Sequence, residues 1–449
     1  MKFVIKSRKV LTGGEIRKAC ILIENGVITD ISDYNTVSEL EIRDYGEYVI
    51  MPSLIDTHVH INEPGREEWE GFESATKSAA AGGVTVLVDM PLNSSPVTTD
   101  AEALNKKISS AEGKLYVDTG FYGGAVPGNS GKLAQLFHGG VLGIKSFMID
   151  SGLDEFRPVN ENDLEKILNS LKEIPDIPLL VHAEIFCGSE KSRNYSGYSY
   201  RSFLESRPKE WENRAIEILI KLSERFSRHI HIVHLSSSDG IDLISEAKSR
   251  GVKITTETCP HYLFFSSDKI PDKDTLFKCT PPIRDSENRD KLWKALKDGI
   301  IDMVVSDHSP CTEDLKFREE GNFEKAWGGI PGLQTGLSAV WTQASERGFT
   351  LKEISKLMSF NPSVLAGLDK KKGSIEKGFD ADMIVFDPEE KFTAEGKNLF
   401  YKNKFTPYEG EKLKGKVKTT FLRGNIIFDG GKIIQPPSGK ILLNKYINQ

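Results

Sequence analysis

The stretch Ile55-Asp56-Thr57-His58-Val59-His60 is an apolar strand pattern that ends in two histidines spaced by one residue. Because side chains at positions i and i+2 of a β-strand point to the same face, His58 and His60 are expected to project together. Imidazole is the commonest metal ligand in proteins, and one divalent cation satisfies two buried ring nitrogens at once. Two satisfied or exposed histidines are the alternative interpretation, so the motif suggests a metal site without establishing one.

Outward from this motif, short β-branched apolar segments alternate with longer amphipathic stretches up to about Ala366. The alternation is typical of βα units built on a parallel sheet. Helices are predicted over Glu68 to Ala81, closed by two glycines, and over Lys209 to Arg225, directly after a proline. Eight such units favour an α/β fold of the TIM barrel type, (β/α)8. The predicted strands are Ser53 to His58, Val84 to Met90, Leu115 to Gly123, Val141 to Phe147, Pro178 to Glu184, His229 to Leu235, Val252 to Glu257 and Ile301 to Asp307.

The two ends of the chain have a different composition, rich in β-forming residues and glycine turns. At 449 residues the chain exceeds the size of a single core, so a barrel with a smaller appended domain is expected. We predict that residues 1–50 and 371–449 form one β-sandwich domain around a catalytic barrel of residues 51–370. The tail after Ile434 is expected to lie over the surface.

Composition narrows the classes of function. A net charge of -6, with 38% hydrophobic and 28% charged residues, describes an ordinary globular protein. The basic residues are dispersed and no apolar run approaches a membrane span, so neither a nucleic acid nor a membrane is an expected partner. Five cysteines without a Cys-x-x-Cys pair argue against a zinc ribbon or a disulfide framework. We expect a cytoplasmic protein that acts on a small molecule.

Metal-type residues fall at the C-terminal ends of the predicted strands, where barrel enzymes place their active sites. Such a set is large enough for two metal ions, with the aspartate free to accept a proton as well. Taken singly, each histidine has the alternative of a satisfied core residue. The residues are His58 and His60 on the first strand, Lys145 on the fourth, His182 on the fifth, His234 on the sixth and Asp307 on the eighth.

Lys145 needs a separate explanation, because an ammonium group repels cations. Burial beside metals depresses the pKa of a lysine strongly. A neutral amine can add carbon dioxide and become a carbamate, whose two anionic oxygens could bridge two ions. The alternative is a lysine that pairs with Asp150 or Glu155.

The other histidines are assigned lesser roles. His229 is expected at the surface or at a helix end, and His231 shares its strand face, which points opposite to His234. His261 either lines the mouth of the site or caps a loop. His308 is expected to point away from the site on strand parity, which favours a supporting role over ligation.

Together these motifs resemble the amidohydrolase superfamily, specifically its cyclic amidohydrolases: dihydroorotases, hydantoinases or dihydropyrimidinases, and allantoinases. The resemblance spans almost the entire chain. It implies hydrolysis of a small cyclic amide at two divalent metal ions, in a cytoplasmic homotetramer. It rests on Asp56 to His60, Lys145, His182, His234, Ser306 to Ser309 and the segment Gly373 to Asp382.

Within this group the sequence is most similar to the allantoinases. Dihydroorotases carry an arginine where Asn62 stands and a histidine where Cys311 stands, and these cations grip the substrate carboxylate. Their absence disfavours a carboxylate-bearing ring, since an anion buried without a charged partner is costly. A hydantoin or dihydropyrimidine substrate is the second hypothesis, and a non-catalytic homologue is the third. The matching stretches are His60 to Arg66, Asp89 to Ser94, Gly143 to Met148, Glu257 to Tyr262 and Ala326 to Gly332.

The resemblance implies a role for each residue in opening the ring of allantoin to allantoate. His58 and His60 would bind the more buried ion and His182 and His234 the other, with carboxylated Lys145 (N6-carboxylysine) as the bridge. Asp307 would be both ligand and general acid/base. Zinc is the expected metal, and cobalt, manganese, nickel or iron would suit the same ligands. Substrate contacts are predicted at Asn93, Ser151, Thr280 and Cys311, while Gly328 and Gly329 either contact substrate or make a tight turn.

Overall fold

A computed structural model describes residues 1–188 and 197–446 as a mixed α/β fold. The strands are β1 Lys2–Thr12, β2 Glu15–Glu24, β3 Val27–Asp33, β4 Ile42–Asp44, β5 Val49–Pro52, β6 Leu54–Val59, β7 Val84–Asp89, β8 Asp118–Phe121, β9 Gly123–Gly124, β10 Ile144–Phe147, β11 Leu179–His182, β12 Ile230–Ile232, β13 Ile254–Thr258, β14 Met303–Val304, β15 Met383–Thr393, β16 Lys412–Leu422, β17 Asn425–Asp429, β18 Lys432–Ile433 and β19 Ile441–Leu442. The α-helices are α1 Phe72–Ala81, α2 Ala101–Ala111, α3 Leu133–His138, α4 Glu161–Leu171, α5 Tyr200–Glu205, α6 Lys209–Phe226, α7 Ile241–Ser249, α8 Pro260–Phe264, α9 Ser286–Lys297, α10 Gly336–Glu346, α11 Leu351–Ser355 and α12 Asn361–Leu365.

Strands β6 to β8 pair in parallel with their neighbours along the chain, and so do strands β9 to β14. Tyr122 alone separates β8 from β9, and its N–H donates to the carbonyl of Asp89 (3.0 Å). After β14, His308 bridges in parallel to Val59, and its carbonyl accepts the N–H of His60 (2.8 Å). Each of the eight predicted strands is therefore found, and their C-terminal ends lie together. Strands such as β7 are buried along their whole length, as expected of a parallel sheet covered on both faces.

The two predicted helices are present as α1 and α6, and the start of α1 differs from the prediction. It begins at Phe72 because Gly71 before it adopts a φ of 103°, a value that favours glycine. The Glu63 carboxylate then accepts the N–H of Phe72 (2.8 Å), which satisfies a backbone donor at the helix start. Glu63 thus shapes the segment that follows the two histidines.

Both ends of the chain contribute to one nine-stranded sheet. Its order is β18-β17-β16-β15-β5-β1-β2-β3, with β4 paired to β1. The join lies where β15 runs antiparallel to β5, with Met383 opposite Pro52. Alternating side chains from both ends, including Phe3, Ile50 and Phe421, form an apolar cluster under this sheet.

The tail from Gln435 to Lys440 is mostly exposed, as the sequence predicted, and the residues that follow anchor it to β8. Ile441 and Leu442 form β19, which pairs in parallel with β8, and the Asn444 amide donates to the carbonyls of Phe137 (2.7 Å) and Val141 (3.2 Å). The tail docks there because backbone groups near the start of β8 would otherwise lack partners. None of the helices within residues 1–188 and 197–446 combines the length and apolar character that a membrane span requires.

Candidate metal centre

The six predicted ligands come together where the parallel strands end, and all are buried. The centre of the His58 ring lies 5.6 Å from that of His60 and 5.4 Å from that of His234. The centres of the His234 and His182 rings are 4.5 Å apart. Asp307 Oδ1 is 3.2 Å from His58 Nε2 and 3.5 Å from His60 Nε2. One ligand atom each from His58, His234 and Asp307 lies within 4.8 Å of the others.

Backbone strain is concentrated around this cluster. His234 and Asp307 have φ values of 39° and 45°, and Asn62 and Asn93 have values of 70° and 65°. Such left-handed conformations are uncommon outside glycine and cost about 1–3 kcal/mol each. The surrounding structure therefore holds two predicted ligands in orientations that the local chain alone would not prefer.

Lys145 is the residue in this cluster whose surroundings most clearly indicate a reactive group. Its Nζ is fully buried and has no hydrogen-bond partner anywhere in residues 1–188 and 197–446, and it lies 4.8 Å from the centre of the Phe147 ring. Burial lowers the pKa of the amine to about 7. No described residue forms the alternative ion pair, in which Asp150 or Glu155 would hold the ammonium. A buried amine of this kind is costly as a cation and reactive as a neutral group.

Carboxylates that sequence reasoning did not assign hold two of the histidines. His58 Nδ1 lies 2.5 Å from Glu257 Oε1, and His182 Nε2 lies 2.6 Å from Glu184 Oε2. Glu184 also accepts a hydrogen bond from Arg207 Nη1 (2.7 Å). Burial opposes ionisation of Glu184, but Arg207 and His182 bring its pKa down to about 2. A carboxylate on the second ring nitrogen is the usual way in which proteins orient a ligating histidine. The spacing of Glu184 two residues after His182 is the one sequence signal that pointed to it.

Asn93, predicted as a substrate contact, lies against a predicted metal ligand. Its Nδ2 is 3.2 Å from His60 Nδ1, and its Oδ1 is buried without a hydrogen-bond partner among the described residues. An amide oxygen and nitrogen exchange places when the group is turned over. In that orientation Oδ1 accepts the Nδ1–H of His60 and leaves Nε2 free to bind a cation.

The charges of the cluster fit divalent cations. Burial lowers the pKa of His60 and His182 and takes that of His234 well below its ordinary value, so these imidazoles are neutral near pH 7. Burial would raise the pKa of Asp307, but His58 and His60 beside it bring it below the ordinary value. His234 Nδ1 is buried and finds no partner in the described part of the chain. Neutral nitrogens, one carboxylate and an amine without a partner form a nitrogen and oxygen donor set of the kind that zinc and its neighbours accept.

A cavity of about 640 Å³ contains two of the predicted substrate contacts, Ser151 and Thr280. Gly328 lines it as well, whereas Gly329 packs so closely on the Ser309 carbonyl that a Cβ would collide there. The Ser151 hydroxyl donates to the carbonyl of Phe156 (2.7 Å). Gly329 therefore allows two loops to pack closely, and of the two glycines Gly328 is the one positioned to face a ligand.

Asn62 and Cys311, the two positions where dihydroorotases carry cations, are both buried, and Cys311, predicted as a substrate contact, is not among the residues that line the cavity. The Asn62 amide donates to the carbonyl of Pro310 (3.3 Å). Cys311 packs in an apolar cluster with Trp69, Leu276 and Phe405, and burial raises the pKa of its thiol to about 11. Both side chains are neutral, so neither position brings a cation to the site.

The remaining histidines divide between the two ends of the strands. His261 is buried near Asp307, and neither of its ring nitrogens has a partner in the described ranges. His308 lies 3.5 Å from Glu70, apart from the ligand cluster. His229, expected at the surface or a helix end, is half-buried between the end of α6 and the start of β12, and its Nε2 lies 2.7 Å from the Thr255 hydroxyl.

Comparison with known proteins agrees with this geometry. Residues 49–427 match the model of the amidohydrolase family. The chain is 45% identical to a protein of Dictyostelium discoideum named "Probable allantoinase 2", over 99% of this chain and 94% of that protein. It is 44% identical to the allantoinase of Streptomyces avermitilis over 98% of both chains. Among solved structures, an L-hydantoinase (dihydropyrimidinase) from Arthrobacter aurescens superposes with a TM-score of 0.92 at 28% identity, over 99% of this chain and 100% of that one.

The family model covers strands β5 to β16, the six predicted ligands and the join between β5 and β15. The resemblance drawn from the motifs is thereby confirmed. This chain belongs to the amidohydrolase family.

Proposed function

We propose that the protein is a metal-dependent hydrolase that opens the cyclic amide of allantoin to give allantoate. The observation that carries the proposal is identity of 44–45% with allantoinases over 98–99% of the chain. The histidine, lysine and aspartate cluster supplies groups suited to this hydrolysis. The same cluster counts against a non-catalytic homologue, because a purely structural protein has no use for a buried amine without a partner.

Two divalent cations, with zinc first and cobalt, manganese, nickel or iron as alternatives, would be held by the six residues. We assign His58 and His60 to one ion, His182 and His234 to the other, and Asp307 as a further ligand. Once bound, such ions polarise a carbonyl and lower the pKa of water towards about 7.

Lys145 would bridge the ions as a carbamate. The neutral amine attacks the carbon of carbon dioxide, an N–C bond forms, and the nitrogen gives up one proton. A pKa of about 7 makes a large neutral fraction available at neutral pH. The product is an anion in place of an ammonium, which removes the repulsion between Lys145 and the cations.

Asp307 would move the proton during ring opening. Its carboxylate lies beside His58 and His60 and stays ionised near neutral pH, so it can accept a proton from the attacking water. It then gives that proton to the ring nitrogen as the C–N bond breaks. General acid/base catalysis of this kind contributes about 10²–10⁴-fold to a rate.

The proposed substrate cavity suits a neutral ring. Ser151, Thr280 and Gly328 present hydroxyl and backbone groups to it. The cations at its edge are engaged, since Arg207 pairs with Glu184 (2.7 Å) and Lys278 donates to the carbonyls of Glu324 and Ala326. We therefore place allantoin, which carries no carboxylate, ahead of dihydroorotate.

Larger features of the protein belong to the same proposal. The pairing of β6 to β14 and the bridge from His308 to Val59 support closure into a (β/α)8 barrel of residues 51–370. Residues 1–50 and 371–449 would then form a β-sandwich domain. A homotetramer in the cytoplasm remains a prediction from the resemblance and the composition.

Rates of ring opening test the choice of substrate. The purified protein, loaded with zinc, is assayed on allantoin, hydantoin, dihydrouracil and dihydroorotate, with His58→Ala as the inactive control. We expect the highest kcat/KM on allantoin. We expect no activity above background in the His58→Ala control. Fastest turnover of hydantoin or dihydrouracil would favour the hydantoinase alternative, which the structural match to an L-hydantoinase supports. Fastest turnover of dihydroorotate would overturn both.

A further inference from the structure

A continuous line of hydrogen bonds runs from the predicted metal ligand His58 along the inside of the strands to their opposite end. Glu257 Oε1 lies 2.5 Å from His58 Nδ1, and its Oε2 lies 2.9 Å from His231 Nε2. The Thr255 hydroxyl lies 2.8 Å from His231 Nδ1 and 2.7 Å from His229 Nε2. The line ends at a cavity of about 550 Å³ lined by His229 and Thr255.

The pairing of two strands creates this line. In β13, Thr255 and Glu257 share one face because they are two residues apart. His231 of β12 stands opposite Thr255 in the parallel register, and His229 lies two residues before it on the same face. Four polar side chains are thus stacked along the interior of the sheet, where an unsatisfied polar atom is expensive.

With neutral imidazoles, the chemistry of the four groups sets the direction of every hydrogen bond. With an imidazole nitrogen on each oxygen, the Glu257 carboxylate satisfies both contacts only as an acceptor, so His58 Nδ1 and His231 Nε2 carry the protons. A neutral His231 then presents a lone pair at Nδ1, which accepts the hydroxyl hydrogen of Thr255. The Thr255 oxygen in turn accepts the Nε2–H of His229. When all three imidazoles are neutral, this arrangement is the one that satisfies all four contacts, and in it His58 carries a lone pair on Nε2.

Glu257 also touches a second predicted ligand, since Oε1 accepts the backbone N–H of His234 (3.3 Å). That backbone has a left-handed φ of 39°. The same carboxylate oxygen therefore contacts the side chain of one ligand and the main chain of another.

We propose that Glu257, with His231 and Thr255 behind it, is a positioning group that keeps His58 in the tautomer whose Nε2 lone pair faces the metal centre. The proposal rests on the metal site of the proposed function, but not on the choice of allantoin. Glu257 is a positioning residue because it acts through His58 and His234. Thr255 and His231 extend its effect over the length of the strands.

The test uses two variants and a control on the same strand. Glu257→Gln replaces an acceptor oxygen by a donor amide, and Thr255→Val removes only the hydroxyl. Thr256→Val is the matched control, because the Thr256 hydroxyl donates to the Ile232 carbonyl (3.0 Å) and takes no part in the line. Zinc affinity is measured by competition with a chelator, and the imidazole tautomers are read by nitrogen-15 NMR of the zinc-loaded, histidine-labelled full chain.

We expect the unmodified protein to carry the proton of His58 on Nδ1 and that of His231 on Nε2. Glu257→Gln should lower zinc affinity by about 10–100-fold, the range found for groups that orient metal ligands. Thr255→Val should cause a smaller loss and a mixture of His231 tautomers. Thr256→Val should leave both readouts unchanged, whatever it does to the midpoint of unfolding.

Three outcomes would overturn the proposal. The first is a proton on His231 Nδ1 in the unmodified protein, and the second is Glu257→Gln with undiminished zinc affinity. The third, which applies even when Glu257→Gln does not fold, is Thr255→Val with unchanged His231 tautomer and zinc affinity. Failure of allantoin turnover with the expected tautomers and affinities would remove the proposed substrate and leave the positioning role intact.

Discussion

Two buried charged clusters lie at opposite ends of the parallel strands, and they differ in how their charges are satisfied. At the N-terminal end, Lys372 Nζ lies 2.7 Å from Asp118, 2.7 Å from Asp382 and 2.8 Å from Asp380. Arg423 Nη1 lies 2.6 Å from Asp118. The three carboxylates approach one another as closely as cation ligands do, but an ammonium group already lies among them.

The metal-type cluster at the other end leaves groups without partners among the described residues, namely Lys145 Nζ, His234 Nδ1 and both nitrogens of His261. Burying an unpaired polar group costs about 1–3 kcal/mol. Buried charge alone therefore does not indicate a functional site in this protein. A cluster whose buried charges are all paired indicates a role in stability. A cluster with unpaired buried groups indicates a binding site for a ligand or a metal ion.

The largest expected effect is on catalysis. Asp307→Asn keeps the size of the side chain and removes the proton acceptor, so we expect kcat for ring opening of allantoin to fall about 10²–10⁴-fold. The control is Asp298→Asn, which makes the same change of charge in an exposed ion pair with Lys294 and should retain full activity. Full activity in Asp307→Asn would contradict the assigned role.

The next effect separates the two clusters. Lys372→Met removes the ammonium group shared by buried Asp118 and Asp382 and by half-buried Asp380, and it leaves Arg423 as a partner of Asp118 alone. We expect a loss of about 3–5 kcal/mol in the free energy of unfolding, measured by urea denaturation. The control is Lys370→Met, because Lys370 is 91% exposed. If Lys372→Met instead loses activity while its free energy of unfolding is unchanged, this cluster also takes part in the reaction.

A smaller effect is expected at Asn93. Asn93→Ala removes the partner of His60 Nδ1, and zinc affinity should fall about 10–100-fold, whereas Asn93→Asp should retain most of it. Exposed Asn398 provides the control substitution to alanine. If Asn93→Ala binds zinc normally but shows a raised KM, Asn93 contacts substrate, as the family resemblance first suggested.

The smallest expected effect is a pH dependence of stability. Burial opposes ionisation of Asp118, but Lys372 and Arg423 hold its pKa below the ordinary value, so its stabilising effect is complete above about pH 4 and fades as pH falls through the lowered value. The difference in unfolding free energy between the unmodified protein and Asp118→Asn should be flat down to about pH 4 and shrink below it. A difference that grows on acidification would contradict the lowered pKa.

Local rules explain why so much of the fold was predictable. The eight parallel strands and the placement of His58, His60, Lys145 and His182 follow from short apolar runs and a two-residue period. The helix start at Phe72 was predicted four residues too early because Gly71 and Glu63, which set it, act through backbone angle and a distant carboxylate. The pairing of the tail with β8 was not predicted, because the partner strand lies more than 300 residues earlier in the chain.

The residue types and their spacing specify the chemistry that this protein can offer: two histidines on one strand face, further ligands at later strand ends, and a neutral asparagine at position 62. These properties depend on residue type and local spacing. Which groups support the ligands depends instead on how the strands pack in three dimensions. Glu257 meets His58 across 199 residues of sequence, and Asn93 meets His60 across 33, and no local pattern records such distances. The physical reason is that an imidazole is oriented by whichever group reaches its second nitrogen, and the packing of the strands chooses that group.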